Sequence, residues 1–97
     1  MNKLKIFWSA NAKADLKDIY FQLKEKYSKE TALKIRTEVL QEINKIVFPE
    51  QFQTDEYRLD CRRIIVRNYK VLYQNTEDSI YVVRIFNSFQ NPEKSLR

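Results

Sequence analysis

The sequence predicts an α+β domain: one strand, a helical hairpin, then an antiparallel three-stranded meander. Three observations carry this. Ser9 and Ser28 each stand at a helix N-cap position ahead of apolar residues at helical spacing. Three runs rich in Val, Ile and Tyr fill Arg62 to Asn87, and the polar breaks between them, Arg67-Asn68 and Asn75 to Asp78, are short enough for hairpins. A chain of 97 residues suits one domain, residues 1–97, with a real core and little chain left for a second function.

Leu4 to Trp8 is a short apolar strand with Ile6 and Trp8 on one side and Phe7 on the other. Behind Ser9, Ala12, Leu16, Ile19, Leu23 and Tyr27 recur at helical steps, giving one amphipathic helix over residues 10–26 whose opposite face is solvated. Ser28 caps a second helix with Glu30 in its first turn and the stripe Ala32, Ile35, Val39, Ile43 and Ile46, which Pro49 stops. So short a connection packs the helices as an antiparallel hairpin over the sheet. Glu50 to Glu56 is an acidic loop anchored by Phe52, and Tyr57 to Cys61 leads into the sheet as an irregular or edge strand. The tail admits a short helical turn from Pro92. With no glycine in the chain, Asn68 and Asn75 are the residues expected at positive φ.

A hairpin centred on Arg67 and Asn68 pairs Val66 with Tyr69, Ile65 with Lys70, Ile64 with Val71, Arg63 with Leu72 and Arg62 with Tyr73. Pleating then puts Ile64, Val66, Tyr69, Val71 and Tyr73 inward, and Arg63, Ile65, Lys70 and Leu72 outward. On the last run, continuity of the apolar face places Tyr81, Val83 and Ile85 inward and Val82, Arg84 and Phe86 outward. Arg63, Lys70 and Arg84 are therefore expected to emerge together on an outer face among Ile65, Leu72, Val82 and Phe86. Arg62, on the inward face, is read as structural. Trp8, Tyr20 and Phe21 are read as core or core-edge aromatics, and Cys61 as an inert, semi-buried thiol.

The net charge of +5 is unevenly placed. Residues 1–56 hold ten Lys or Arg against nine Asp or Glu, residues 57–97 eight against four, and six of the seven arginines lie in the second part. Arginine's planar fork suits phosphate and carboxylate, so the asymmetry points to a polyanion or an acidic protein partner. A single cysteine and no histidine exclude an internal disulfide and argue against a zinc site; no metal and no cofactor are expected. The apolar run at residues 6–8 is too short for a signal peptide and none approaches a membrane span, so a cytoplasmic protein with no membrane partner is expected.

In this order and length, W-S-x-x-A-x-x-D-L-x-x-I from Trp8 to Ile19, R-x-I-I-V-R-N-Y-K-V-L-Y from Arg62 to Tyr73 and I-x-V-V-R-I-F-N-x-x-x-N-P from Ile80 to Pro92 resemble the RelE/ParE superfamily of toxins of type II toxin–antitoxin systems. The resemblance implies a RelE/ParE-like toxin fold, a cognate antitoxin, a toxin dimer within the antitoxin complex as one possible assembly, and a role of the plasmid-stabilisation kind. RelE-like members cut messenger RNA on the ribosome. By alignment with them Arg63 falls at a catalytic lysine and Lys70 at a phosphate-stabilising arginine. Ile65 replaces a second lysine, Ser88 an arginine, and the tail has no tyrosine.

RNA cleavage by 2′-OH attack needs a base, cations for the phosphorane and an acid for the leaving oxygen. The sequence offers cations in Arg63, Lys70 and Arg84, the catalytic set should the chain be a nuclease, but no evident acid or base. ParE-like members, whose target is DNA gyrase, match better, with Asn87 at the position of a histidine or similar polar residue. The resemblance thus implies growth inhibition through DNA gyrase binding, with no confident catalytic residue and a binding surface of Arg63, Ile65, Lys70, Leu72, Arg84, Phe86 and Asn87. The alternatives are a ribosome-dependent endoribonuclease acting on mRNA and a non-toxic basic module that binds nucleic acid.

Overall fold

A computed structural model describes residues 4–87 of the chain. The elements run β1 (Lys5–Trp8), α1 (Ala10–Lys26), α2 (Lys29–Asn44), β2 (Arg62–Val66), β3 (Tyr69–Asn75) and β4 (Ser79–Asn87). They build one mixed sheet in the order β1-β4-β3-β2, in which β1 runs parallel to β4 and the other pairs are antiparallel. The fold is therefore α+β, as expected. The expected helical turn at Pro92 and any contact of Phe89 or the rest of the tail lie outside the described residues.

Both helices begin where serine can cap them. Ser9 Oγ accepts from the Ala12 amide at 2.9 Å and Ser28 Oγ from the Thr31 amide at 3.1 Å, each satisfying an N–H that the first turn leaves unpaired. Ala12, Leu16, Ile19 and Leu23 of α1, with Ala32, Ile35, Val39 and Ile43 of α2, turn one apolar stripe each onto the sheet. Beneath them lie Ile64, Val66, Tyr69, Val71 and Tyr73, the set that pleating assigned inward. The β2–β3 register is the one expected, from Val66 opposite Tyr69 to Arg62 opposite Tyr73.

Two local expectations fail. At the β2–β3 turn it is Arg67 that takes positive φ, at 56°, and it is the only residue other than glycine to do so among those described, so neither Asn68 nor Asn75 has that role. The exposed pair of Arg67 with Glu38 of α2 holds the Arg67 side chain in place. The second failure is the parity of β4. Its pairing with β3 slips between Leu72 and Tyr73, so that Leu72 faces Arg84 while Tyr73 faces Val82 and Val83 is the extra residue of a bulge. The slip carries Ile80 and Val82 into the core with Ile85, leaves Tyr81 exposed and turns Val83 to the outer face. Tyr81 stacks there on Phe7, its neighbour in β1, with ring centroids 5.2 Å apart. Phe21, expected in the core or at its edge, is 46% exposed.

The edge of β4 explains how α1 is fixed. β1 is four residues long and pairs only with Ser79 to Val82, which would leave the rest of β4 as an open edge. Side chains of the following helix close it. Ser9 Oγ donates to the Val83 carbonyl at 2.8 Å, and Asp15 accepts from the Ile85 amide at 3.0 Å. The same Asp15 carboxylate takes both Arg84 Nε, at 2.8 Å, and a terminal guanidinium nitrogen, at 3.1 Å.

Asp15→Ala would therefore strip partners from a backbone N–H and a half-enclosed guanidinium at once. The expected cost is about 2–3 kcal/mol, and Arg67→Ala, in its exposed pair, is expected to cost less. Urea unfolding of the two variants checks the ranking.

Candidate functional site

The outer face of the sheet is where the sequence places a cationic surface, and β2, β3 and β4 do direct Arg63, Lys70, Leu72 and Phe86 there. It is not open. Residues 53–61 fold back over it as a strap: Thr54 bridges Arg62, the Arg63 amide donates to the Gln53 carbonyl at 3.1 Å, and the Asp55 amide to the Cys61 carbonyl at 2.9 Å. The edge contact to β2 thus comes from Gln53 and Thr54, whereas Tyr57 to Cys61, expected as an irregular or edge strand, is irregular chain with a turn at Leu59 and Asp60. Phe52 does anchor this segment, edge-on to Tyr73, and Arg62 holds it through the Phe52 carbonyl at 2.8 Å, the structural role expected of Arg62.

The strap delivers Asp55, which is wholly buried, to the middle of the cations. Its Oδ1 accepts from Lys70 Nζ at 2.8 Å and lies 3.8 Å from Arg63, which also reaches Glu56 at 3.7 Å. Its Oδ2 accepts from the Tyr57 and Arg58 amides at 3.1 and 2.9 Å, a local turn that fixes the carboxylate before Lys70 meets it. Burial pushes the Asp55 carboxyl up, but the Lys70 hydrogen bond, the two amides and the Lys70 charge outweigh it and hold the group below the usual aspartate value. Lys70 itself is 4% exposed, its ammonium 5.1 Å from the Tyr57 ring centre and 5.8 Å from that of Phe86. Leu72 and Phe86 are buried with Cys61 in a small second cluster, against which Val83 packs, and burial raises the Cys61 thiol pKa.

The expectation that Arg63, Lys70 and Arg84 emerge together is thereby corrected. Arg63 and Lys70 do come together, but around a shared carboxylate. Arg84 turns away to Asp15 at the sheet edge. Leu72 and Phe86 are interior, Ile65 is 54% exposed, and Asn87 lines a cleft between the end of α1 and the β2–β3 turn. The residues that sequence reasoning missed are Asp55 and Tyr57. Their one signal is a lone aspartate in an acidic loop ahead of a strand whose outward lysine needs a partner.

Among the described residues no group of His, Cys, Asp or Glu could hold a metal ion, and no helix is long and apolar enough to cross a membrane. Strand order and helical cover define the class, a small α+β domain with a helical hairpin on one face of a mixed sheet. A solved structure titled as the chromosomal ParDE toxin–antitoxin system from P. aeruginosa superimposes with a TM-score of 0.74 over 87% of this chain and 95% of that one, at 17% identity. The model of the ParE toxin of type II toxin–antitoxin systems, parDE, matches residues 6–92, and the chain belongs to that family. No curated protein matches its sequence.

Because the folded-state pKa of Asp55 lies below its unfolded value, its stabilisation is complete above about pH 4 and is lost as pH falls through the folded value. Asp55→Ala leaves a buried ammonium without its counter-ion and is expected to cost about 3–5 kcal/mol near neutral pH. The gap to the unaltered chain should narrow below about pH 4, and the double variant Asp55→Ala/Lys70→Met should recover part of the loss. Thermal melts from pH 3 to 8 test both.

Proposed function

We propose that the chain is the toxin of a type II toxin–antitoxin pair, neutralised by a cognate antitoxin in the cytoplasm, which acts when free by binding DNA gyrase and not by cutting RNA. Membership of the ParE family supports the toxin and antitoxin parts. The observation that carries the choice of mechanism is the state of the three cations a nuclease would need. Lys70 is paired with Asp55, Arg63 with Asp55 and Glu56, and Arg84 with Asp15, and Lys70 is shut off from solvent. A cation can lower a phosphorane barrier only by reaching the developing charge, and an ammonium 2.8 Å from a buried carboxylate would first have to leave it. A toxin that works by protein–protein contact needs no such group. On the sheet, Ile65 is the exposed member of the predicted binding surface, and Arg63, Arg84 and Asn87 are partly exposed.

Induction in a bacterial host with two readouts tests this. The expected result is growth arrest with gyrase-dependent DNA breakage, intact messages, and rescue by the small protein encoded beside the toxin. Fresh cuts in messages, in step with translation and with gyrase untouched, would replace the gyrase reading by the endoribonuclease one.

A further inference from the structure

The strap covers part of the outer sheet face and leaves another part bare. Where it lies, Lys70, Leu72 and Phe86 are buried, but where β4 runs beside β1 the same face carries Phe7 and Tyr81, 46% and 42% exposed. Pleating sets them outward, since Ile6, Trp8, Ile80 and Val82 on either side of them pack on the core. The two are register partners, and their rings stack with planes 17° from parallel. Opposite Tyr81 on β3 stands Gln74, whose amide donates to Asp60 at 2.9 Å and so ties the bare rings to the turn of the strap. Leu59, beside Asp60 in that turn, is 79% exposed.

Neither ring belongs to either core cluster. Small polar residues would serve the outside of this strand pair as well, so two large exposed rings side by side mark a surface that something else covers. The charge around them runs against the sign of the chain. Asp60 on one side, with Glu77 and Asp78 of the β3–β4 turn on the other, sets three carboxylates against Arg58, 3.2 Å from Asp60, and Lys5, 4.0 Å from Asp78. Glu77 makes no ion pair with any described residue. On a protein of net charge +5 this is a local acidic field.

We infer that this aromatic and acidic face is where the toxin meets its protein target, taking a segment of gyrase that carries lysine or arginine; the inference rests on the gyrase reading above. A lysine or arginine stem laid across Phe7 and Tyr81 gains apolar contact along its methylenes and cation–π attraction at its head, with carboxylates at hand for the charge. An enzyme that grips DNA presents such side chains where it meets phosphate. Nucleic acid itself suits the face less well, because bases that stacked on the rings would bring their phosphates against three carboxylates. Two rings already held by each other also lose little freedom when a partner covers them.

The test uses the whole toxin chain and purified gyrase holoenzyme, with binding read by biolayer interferometry at two salt concentrations. Tyr81→Ser is expected to raise Kd at least about tenfold, and the neutralising pair Asp60→Asn/Glu77→Gln about fivefold with a flatter salt dependence. Both should bind the small protein encoded beside the toxin as the unaltered chain does, and Lys45→Glu, at the end of α2, should leave gyrase binding unchanged. Should Tyr81→Ser fail to fold, the neutralising pair decides alone, its substitutions being isosteric and exposed. Undiminished gyrase binding by the variants overturns the docking face while leaving the gyrase reading intact. Loss of binding to a 20-nucleotide single strand of DNA in Tyr81→Ser, with gyrase binding retained, overturns it too and assigns the rings to nucleic acid. Failure of the unaltered chain to bind gyrase removes that reading and this proposal with it.

Discussion

An ammonium buried on the outer face of a sheet has to bring its counter-ion with it, and that requirement at Lys70 organises half of this molecule. Leaving a charge of that kind unpaired away from water costs several kcal/mol, so Lys70 stays buried and charged at low cost only with Asp55 in place. Asp55 arrives on a strap that must cross β2 to reach β3, which is why Gln53 and Thr54 lie along the β2 edge and why Arg62 and Arg63 hold the strap on both sides. Covering Lys70 also covers Leu72 and Phe86, and these form the second apolar cluster with Cys61. The sheet consequently has two packed faces, one under helices and one under irregular chain.

The other half is organised by the shortness of β1. Four residues cannot pair the nine of β4, and an uncovered edge invites further strands. Continuing β1 would close the edge but would push α1 off the sheet. Here the chain turns at Ser9 instead, and the helix finishes the job with a hydroxyl and a carboxylate at the points where strand amides and carbonyls would have stood. The bulge at Val83 lies at the changeover from strand cover to helix cover, where β4 exchanges its β1 partner for Asp15. Arg84 is drawn to the same carboxylate, so its charge serves the edge and not the outer face.

These two devices mark how far the sequence could be read. Caps, helical stripes, the β2–β3 register and the inward set from Ile64 to Tyr73 were legible because each follows from local spacing or from a two-residue turn. The bulge was not, since Ile80 to Phe86 is apolar on both parities and a one-residue slip changes which face is buried without changing its character. Nor was the strap: Asp55 meets Lys70 across fifteen residues, through a segment with no periodicity to betray its path. For the candidate site the loss was larger than for the fold. Outward parity of Lys70 was read correctly, yet facing outward and being exposed are different properties once a loop folds over the face.

That difference decides how the charge of the protein should be weighed. Counting arginines locates the basic half, but a guanidinium held by a carboxylate projects little field beyond its own pair. Subtracting such pairs from the described residues moves the available positive charge from the sheet, where composition put it, to the helical hairpin, where Lys13, Lys17 and Arg36 stand without acidic partners. Arginine is used here as a bidentate structural tie, suited to planar carboxylates, while the hairpin surface carries mainly flexible lysine.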